Sequence, residues 1–207
     1  MLSQNKQGQT LIEAIIAVAI IAIALVGFLS RSTQSFIAIS ESINRNTALN
    51  LAREGVEVVR NTRDSNWLKG CFDPDDEENC VYWNTFLQDG LDYRFIVYIS
   101  PYDGEWTLKS TGMDFDDCQE DEMCRLYFDD KGFYSSVESD EPTNYYRMVE
   151  NRPICESTTA CGGDGICVSG QACPNKQIGI QVFSMVRWKQ GPAWRNISLV
   201  DYLYNWR

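Results

Sequence analysis

Eight cysteines, two acidic clusters and a single glutamate at the margin of an apolar run are the side chains in this sequence with chemistry to offer. Cys71, Cys80, Cys118, Cys124, Cys155, Cys161, Cys167 and Cys173 all lie C-terminal to that run, and their even number favours disulfides in an oxidising, extracytoplasmic space. Short loops make Cys71–Cys80 and Cys118–Cys124 the simplest pairs, while the four from Cys155 to Cys173 can pair in sequence or nested. Zinc is the competing use of thiols, but no two cysteines are spaced Cys-x-x-Cys and the chain has no histidine. The acidic clusters are Asp73, Asp75, Asp76, Glu77, Glu78 and then Asp114, Asp116, Asp117, Glu120, Asp121, Glu122. They supply hard oxygen ligands without the EF-hand pattern and read as solvated loops, with Asp114, Asp116 and Asp117 as the calcium candidates. Lack of histidine also removes Ser–His and Cys–His nucleophile pairs, and there is no phosphate-cradling glycine loop. No catalytic residue, cofactor or enzymatic activity is expected.

The lone glutamate, Glu13, precedes residues 14–29, AIIAVAIIAIALVGFL, which carry no charge. With Thr10, Leu11 and Ile12 the run approaches the roughly 20 residues a helix needs to cross a bilayer. It continues into a helical pattern without an Ala-x-Ala exit, unlike an ordinary secretory signal. Gly27 is the weak point inside the span and the candidate for a bend. Beyond Arg31 the apolar residues thin to one stripe, Phe36, Ile39, Ile43, Ala48, Leu51 or Ala52, Val56 and Val59, whose steps of three and four predict an amphipathic helix to about Arg63.

Such a stem needs a domain to lie on. Strand-like runs follow at residues 91–99, 105–110 and 124–128, the last turning through 129–132 into a hairpin. Residues 178–188 and 194–203 form a final pair around KQGPA, with Ile180, Val182, Ser184, Val186 and Trp188 alternating toward the helix. Residues 70–80, 114–124 and 153–174 read as surface loops closed by staples. Tyr134, Tyr145, Tyr146 and Trp83 are expected to pack against the sheet rather than form an adhesive face. The net charge of −11 becomes −12 if the first eight residues, whose charge is that of Lys6, are removed. Such a surface repels phosphate backbones, so no direct nucleic-acid binding is expected.

The N-terminus as a whole, MLSQNKQG followed by QTLIEAIIAVAIIAIALVGFL, resembles the prepilin signal of type IV pilins, type II secretion pseudopilins and related filament subunits. The resemblance implies that a prepilin peptidase cuts between Gly8 and Gln9 and methylates the new N-terminus at Gln9. Thr10 and Glu13 then fall at the second and fifth mature positions, with assembly roles; in the family's filaments the glutamate meets a neighbouring subunit's N-terminal amine. Gln9 stands where phenylalanine or methionine is frequent, and no proline interrupts the helix. The segment LNLAREGVEVVRNTRDSNW, residues 49–67, and the ending RNISLVDYLYNW look like minor pilins of the pilus-modification type.

The expected fold is therefore α+β, a long N-terminal helix packed on a small antiparallel sheet with disulfide-stapled loops. Its divisions are a leader at 1–8, a transmembrane or filament-core helix at 9–30, an amphipathic stem at 31–65 and a β-rich head at 66–207. The implied function is a structural, minor subunit of a pilus-like filament. A pseudopilin of a secretion or DNA-uptake system, or a tethered extracytoplasmic binding protein, are the alternatives. The implied partners are the prepilin peptidase, other pilin subunits and the inner-membrane assembly platform. The chain would be a single-pass membrane protein with a cytoplasmic N-terminus and an extracytoplasmic head, moving to the cell surface on assembly.

Overall fold

The structure, a computed structural model, describes residues 6–70, 82–87, 93–100, 104–129, 132–138, 141–156, 161, 164–168, 171–174 and 176–205. Cys71, Cys80 and the first acidic cluster lie outside the described residues. The chain forms two compact units, Met1–Asn44 and Arg45–Arg207.

Helix α1 spans Lys6–Lys69, 64 residues, and contributes to both units. Its alanines, leucines and glutamates favour the helix, and no proline falls within it. The helix runs through Gly27 without a break and continues past Arg63 to Lys69. Gly70, with φ of +46°, ends it and donates its N–H to the Asn66 carbonyl at 2.9 Å.

In the first unit, twelve large apolar side chains between Leu11 and Leu29 are each 54–73% exposed. Leaving that much hydrocarbon in water costs on the order of 10–20 kcal/mol, which exceeds what a helix stabilises by its own hydrogen bonds. The segment therefore belongs in lipid or against other helices, and α1 is long and apolar enough to cross a membrane.

In the second unit, seven strands among the described residues make one antiparallel sheet. They are β1 (Arg94–Ile99), β2 (Trp106–Ser110), β3 (Arg125–Phe128), β4 (Tyr134–Ser135), β5 (Glu141–Cys155), β6 (Gln177–Gln190) and β7 (Ala193–Tyr204). The 15-residue β5 is the axis. Along one edge it pairs with β6, from Tyr145 opposite Trp188 to Cys155 opposite Gln177. Its other edge is shared by β3, opposite Glu141 to Tyr146, and β1, opposite Val149 and Glu150. β2, β4 and β7 then pair with β1, β3 and β6 respectively.

Period-two alternation decides what each face carries. One face presents Val97, Val149, Ile180, Val182 and Leu203, which pack with Val56, Val58 and Val59 of α1; nearer the hairpin end Leu126, Val186 and Trp188 meet Ala48, Leu51 and Ala52. Of the amphipathic stripe, Ala48 onward is buried, whereas Phe36, Ile39 and Ile43 are exposed. Gly55 lies at the tightest approach: a Cβ there would intrude on Ser184 Oγ and sit 3.1 Å from Val149 Cγ2. Glycine costs a helix interior about 1 kcal/mol relative to alanine, so its use here serves the close packing. Gly55→Val is expected to lower stability by about 1–3 kcal/mol through overpacking, read as a reduced thermal midpoint of the head.

The opposite face is covered by a short helix α2 (Phe115–Glu120), whose Phe115 and Cys118 pack with Ile96, Tyr146 and Met148. Two loop expectations are corrected here. Residues 114–124 hold α2, because Asp114 caps it by accepting from the Asp116 and Asp117 amides, both at 2.9 Å, and Phe115 supplies an apolar anchor. Residues 153–155 belong to β5, the longest strand, which sequence patterning passed over since polar Arg147 and Asn151 occupy two of its core positions.

Candidate functional site

The segment expected to be processed lies at the start of α1. Gly8, Gln9 and Thr10 are helical in the backbone, and Glu13 follows one turn later on an exposed surface. Among the described residues Glu13 has no ion-pair partner, although apolar side chains surround it in sequence. A carboxylate that enters hydrocarbon unpaired is costly, so this geometry calls for a cation supplied by another group once the helix is enclosed.

The second functional element is the seam that holds α1 to the sheet. Arg147 on β5 is fully buried; its Nη1 donates to the Leu51 carbonyl at 3.2 Å and to Glu54 Oε1 at 2.5 Å, and Nη2 to the Val97 carbonyl at 3.2 Å. Burial pulls its pKa below the ordinary arginine value, against the opposing pull of Glu54. One guanidinium thus ties α1, β5 and β1 together.

Further along α1, Arg60 pairs with Asp201 at 2.6 Å and with Glu57. Desolvation works against its charge, but these two carboxylates outweigh it and hold its pKa above the ordinary value. Arg63 Nη1 then donates to the Tyr204 carbonyl at 3.4 Å, and Trp67 Nε1 to Asn205 Oδ1 at 3.2 Å. The two segments singled out in the sequence, 49–67 and the ending from Arg195, are therefore laid side by side. Asn66 and Asn151 pin the 82–87 turn, donating to the Thr85 carbonyl at 2.6 Å and the Leu87 carbonyl at 3.1 Å. Sequence reasoning missed Arg147, Asn66 and Asn151, for which a polar residue on a core-facing position is the signal.

The described cysteines pair as Cys118–Cys124, Cys155–Cys173 and Cys161–Cys167, so the last four are nested. The calcium candidates are divided among other tasks: Asp114 caps α2, Asp116 pairs with Arg187, and Asp117 is exposed. Tyr146 is buried, and Tyr134 and Tyr145 form an edge-to-face contact at 6.2 Å against the core near Trp188.

A long apolar helix, an antiparallel sheet packed on its second half and disulfide staples together fit an α+β pilin fold. Residues 3–29 match the prokaryotic N-terminal methylation motif, the type IV prepilin signature. The N-terminal segment therefore carries the signature found in substrates of the pilin or pseudopilin kind. The signature implies processing by a prepilin peptidase and assembly with other pilins, and the apolar helix fits membrane anchoring before it. No curated protein and no solved structure matches the chain significantly.

Proposed function

We propose that this chain is a minor structural subunit of a type IV pilus-like filament. The observation that carries the reading is the coincidence, within one segment, of the methylation motif at residues 3–29 and a helix whose large apolar side chains are exposed on every side. A peptidase cuts between Gly8 and Gln9 and methylates Gln9. Glycine at Gly8 leaves the backbone open to the enzyme. Before assembly the helix spans the membrane with the N-terminus cytoplasmic and the head extracytoplasmic; in the filament, at the cell surface, lipid is exchanged for the helices of neighbouring subunits. Thr10 and Glu13 act at that exchange, Glu13 pairing with a neighbour's Gln9 amine. The chain performs no catalysis of its own.

A head with three disulfide staples among its described residues suits a subunit incorporated in small numbers better than one repeated along a whole filament. Shearing and sedimentation test the reading. The mature chain is expected in the filament fraction in amounts far below the main subunit, and recovery only in the membrane fraction would contradict it.

A further inference from the structure

β7 leaves a long edge of the sheet open. Its 12 residues pair one-to-one with β6, from Gln190 opposite Ala193 to Gly179 opposite Tyr204, without a register shift, and among the described residues no strand lies on its other side. Every second residue of β7 therefore turns its N–H and C=O away from β6. Sheets ordinarily blunt such an edge with brevity, lysine, proline or a bulge. The other outer strands are blunted in this way: β4 has 2 residues, and β2 has 5, among them the exposed Lys109. β7 carries no lysine, no proline and no bulge. We propose that the free edge of β7 is a strand-addition site for an extended segment of a partner protein, antiparallel to β7, rich in apolar β-formers and bearing a carboxylate opposite Arg195.

The side chains along the edge are set for a strand beside them. On the face away from α1, Trp194, Val200, Tyr202 and Tyr204 are 38–47% exposed. Two of these rings are already held in place, Trp194 edge-to-face on Tyr146 at 5.6 Å and the Tyr202 hydroxyl accepting from Gln181 Nε2 at 2.9 Å. Rings fixed before binding lose little freedom on contact, which favours association. On the α1 side Ile197 and Leu199 are only partly buried against the core, so a neighbouring strand completes their cover. Charge then sets the partner's chemistry. Asp201 is engaged by Arg60, whereas Arg195 is exposed and has no ion-pair partner among the described residues. Opposite charges across a strand pair attract and like charges repel, so an acid facing Arg195 is selected and a base is rejected.

A second copy of this chain fits the edge less well. Ala48 and Leu51 of α1 pack with Ile197, Arg60 meets Asp201 and Arg63 reaches the Tyr204 carbonyl, so α1 and β7 run in the same direction. Antiparallel pairing of two β7 strands would oppose their α1 helices, and two chains anchored through α1 in one membrane cannot meet in that way.

The test uses the full chain in detergent and a capped probe peptide of about ten residues, alternating valine and threonine, with a glutamate near its C-terminal end. In the free chain, amide exchange should be faster across residues 193–204 than across β6. The peptide should bind one per chain and slow exchange over 193–204. A version with lysine in place of the glutamate should bind roughly 3- to 10-fold more weakly, and Arg195→Glu should reverse that preference. A version with proline at alternate positions cannot donate to the edge and should not bind. Equal binding of the proline peptide, indifference to the charge exchange, or exchange in free β7 as slow as in β6 overturns the proposal. Sedimentation of the free chain as a dimer also overturns it, since the occupant is then a second copy. The binding is read without a filament, so its failure leaves the pilus reading standing.

Discussion

Glu13→Ala is expected to be cut and methylated normally yet to fall at least about 100-fold in filament incorporation. Removing one partner of an ion pair enclosed in low dielectric costs about 3–5 kcal/mol. At about 1.4 kcal/mol per factor of ten, that exceeds 100-fold in the equilibrium of subunit addition. Glu13 belongs to the unit Met1–Asn44 and is not among the residues of the head's core clusters, so the head's thermal midpoint should not move. Glu13→Asp, which keeps the charge on a shorter arm, should recover part of the incorporation. Equal filament content for Glu13→Ala and the parent would remove Glu13 from assembly.

Arg147→Ala should produce the largest loss of head stability, about 3–5 kcal/mol, from a total that for a domain of this size is about 5–15 kcal/mol. The guanidinium is wholly enclosed and satisfies two backbone carbonyls, Leu51 and Val97, besides Glu54. Alanine removes a charged donor from those acceptors, leaves the Glu54 carboxylate without its cation and opens a cavity between α1 and the sheet. An Arg147→Met/Glu54→Gln double variant fills the space without a charge and should recover most of the loss. Thermal unfolding followed by circular dichroism reads both. A midpoint unchanged in Arg147→Ala would show that the helix–sheet seam rests on its apolar contacts alone.

The helix and the processing signal were legible in the sequence for different reasons. Residues 14–29 announce themselves by unbroken hydrocarbon, and residues beyond Arg31 by steps of three and four. The signal is linear: the methylation motif at residues 3–29 is read from the order of residues and needs no fold to bring its parts together. β6 and β7 were likewise visible, since Ile180, Val182, Val186 and Trp188 alternate in plain view and all are buried.

What escaped depends on contacts distant in the chain. β5 hides because Arg147 and Asn151 occupy core positions, and their burial makes sense only with Glu54 and Leu87 beside them. Gly55 resembles any helical glycine until Ser184 is placed against it. α2 was masked by its acidic residues, although Asp114 followed by an apolar anchor is a capping signal that could have been read. The nesting of Cys161–Cys167 within Cys155–Cys173 comes with the Ile154–Ile166 bridge, which sets Cys155 and Cys167 opposite one another and which no spacing rule encodes.

Intact-mass analysis of the full chain, incubated in membranes with and without an active prepilin peptidase, tests the central claim most directly. The account predicts loss of residues 1–8, a new N-terminus at Gln9 and the added mass of a methyl group, all blocked in Gly8→Val. A chain that keeps its first eight residues in the presence of the enzyme, or that begins anywhere other than Gln9, would contradict it.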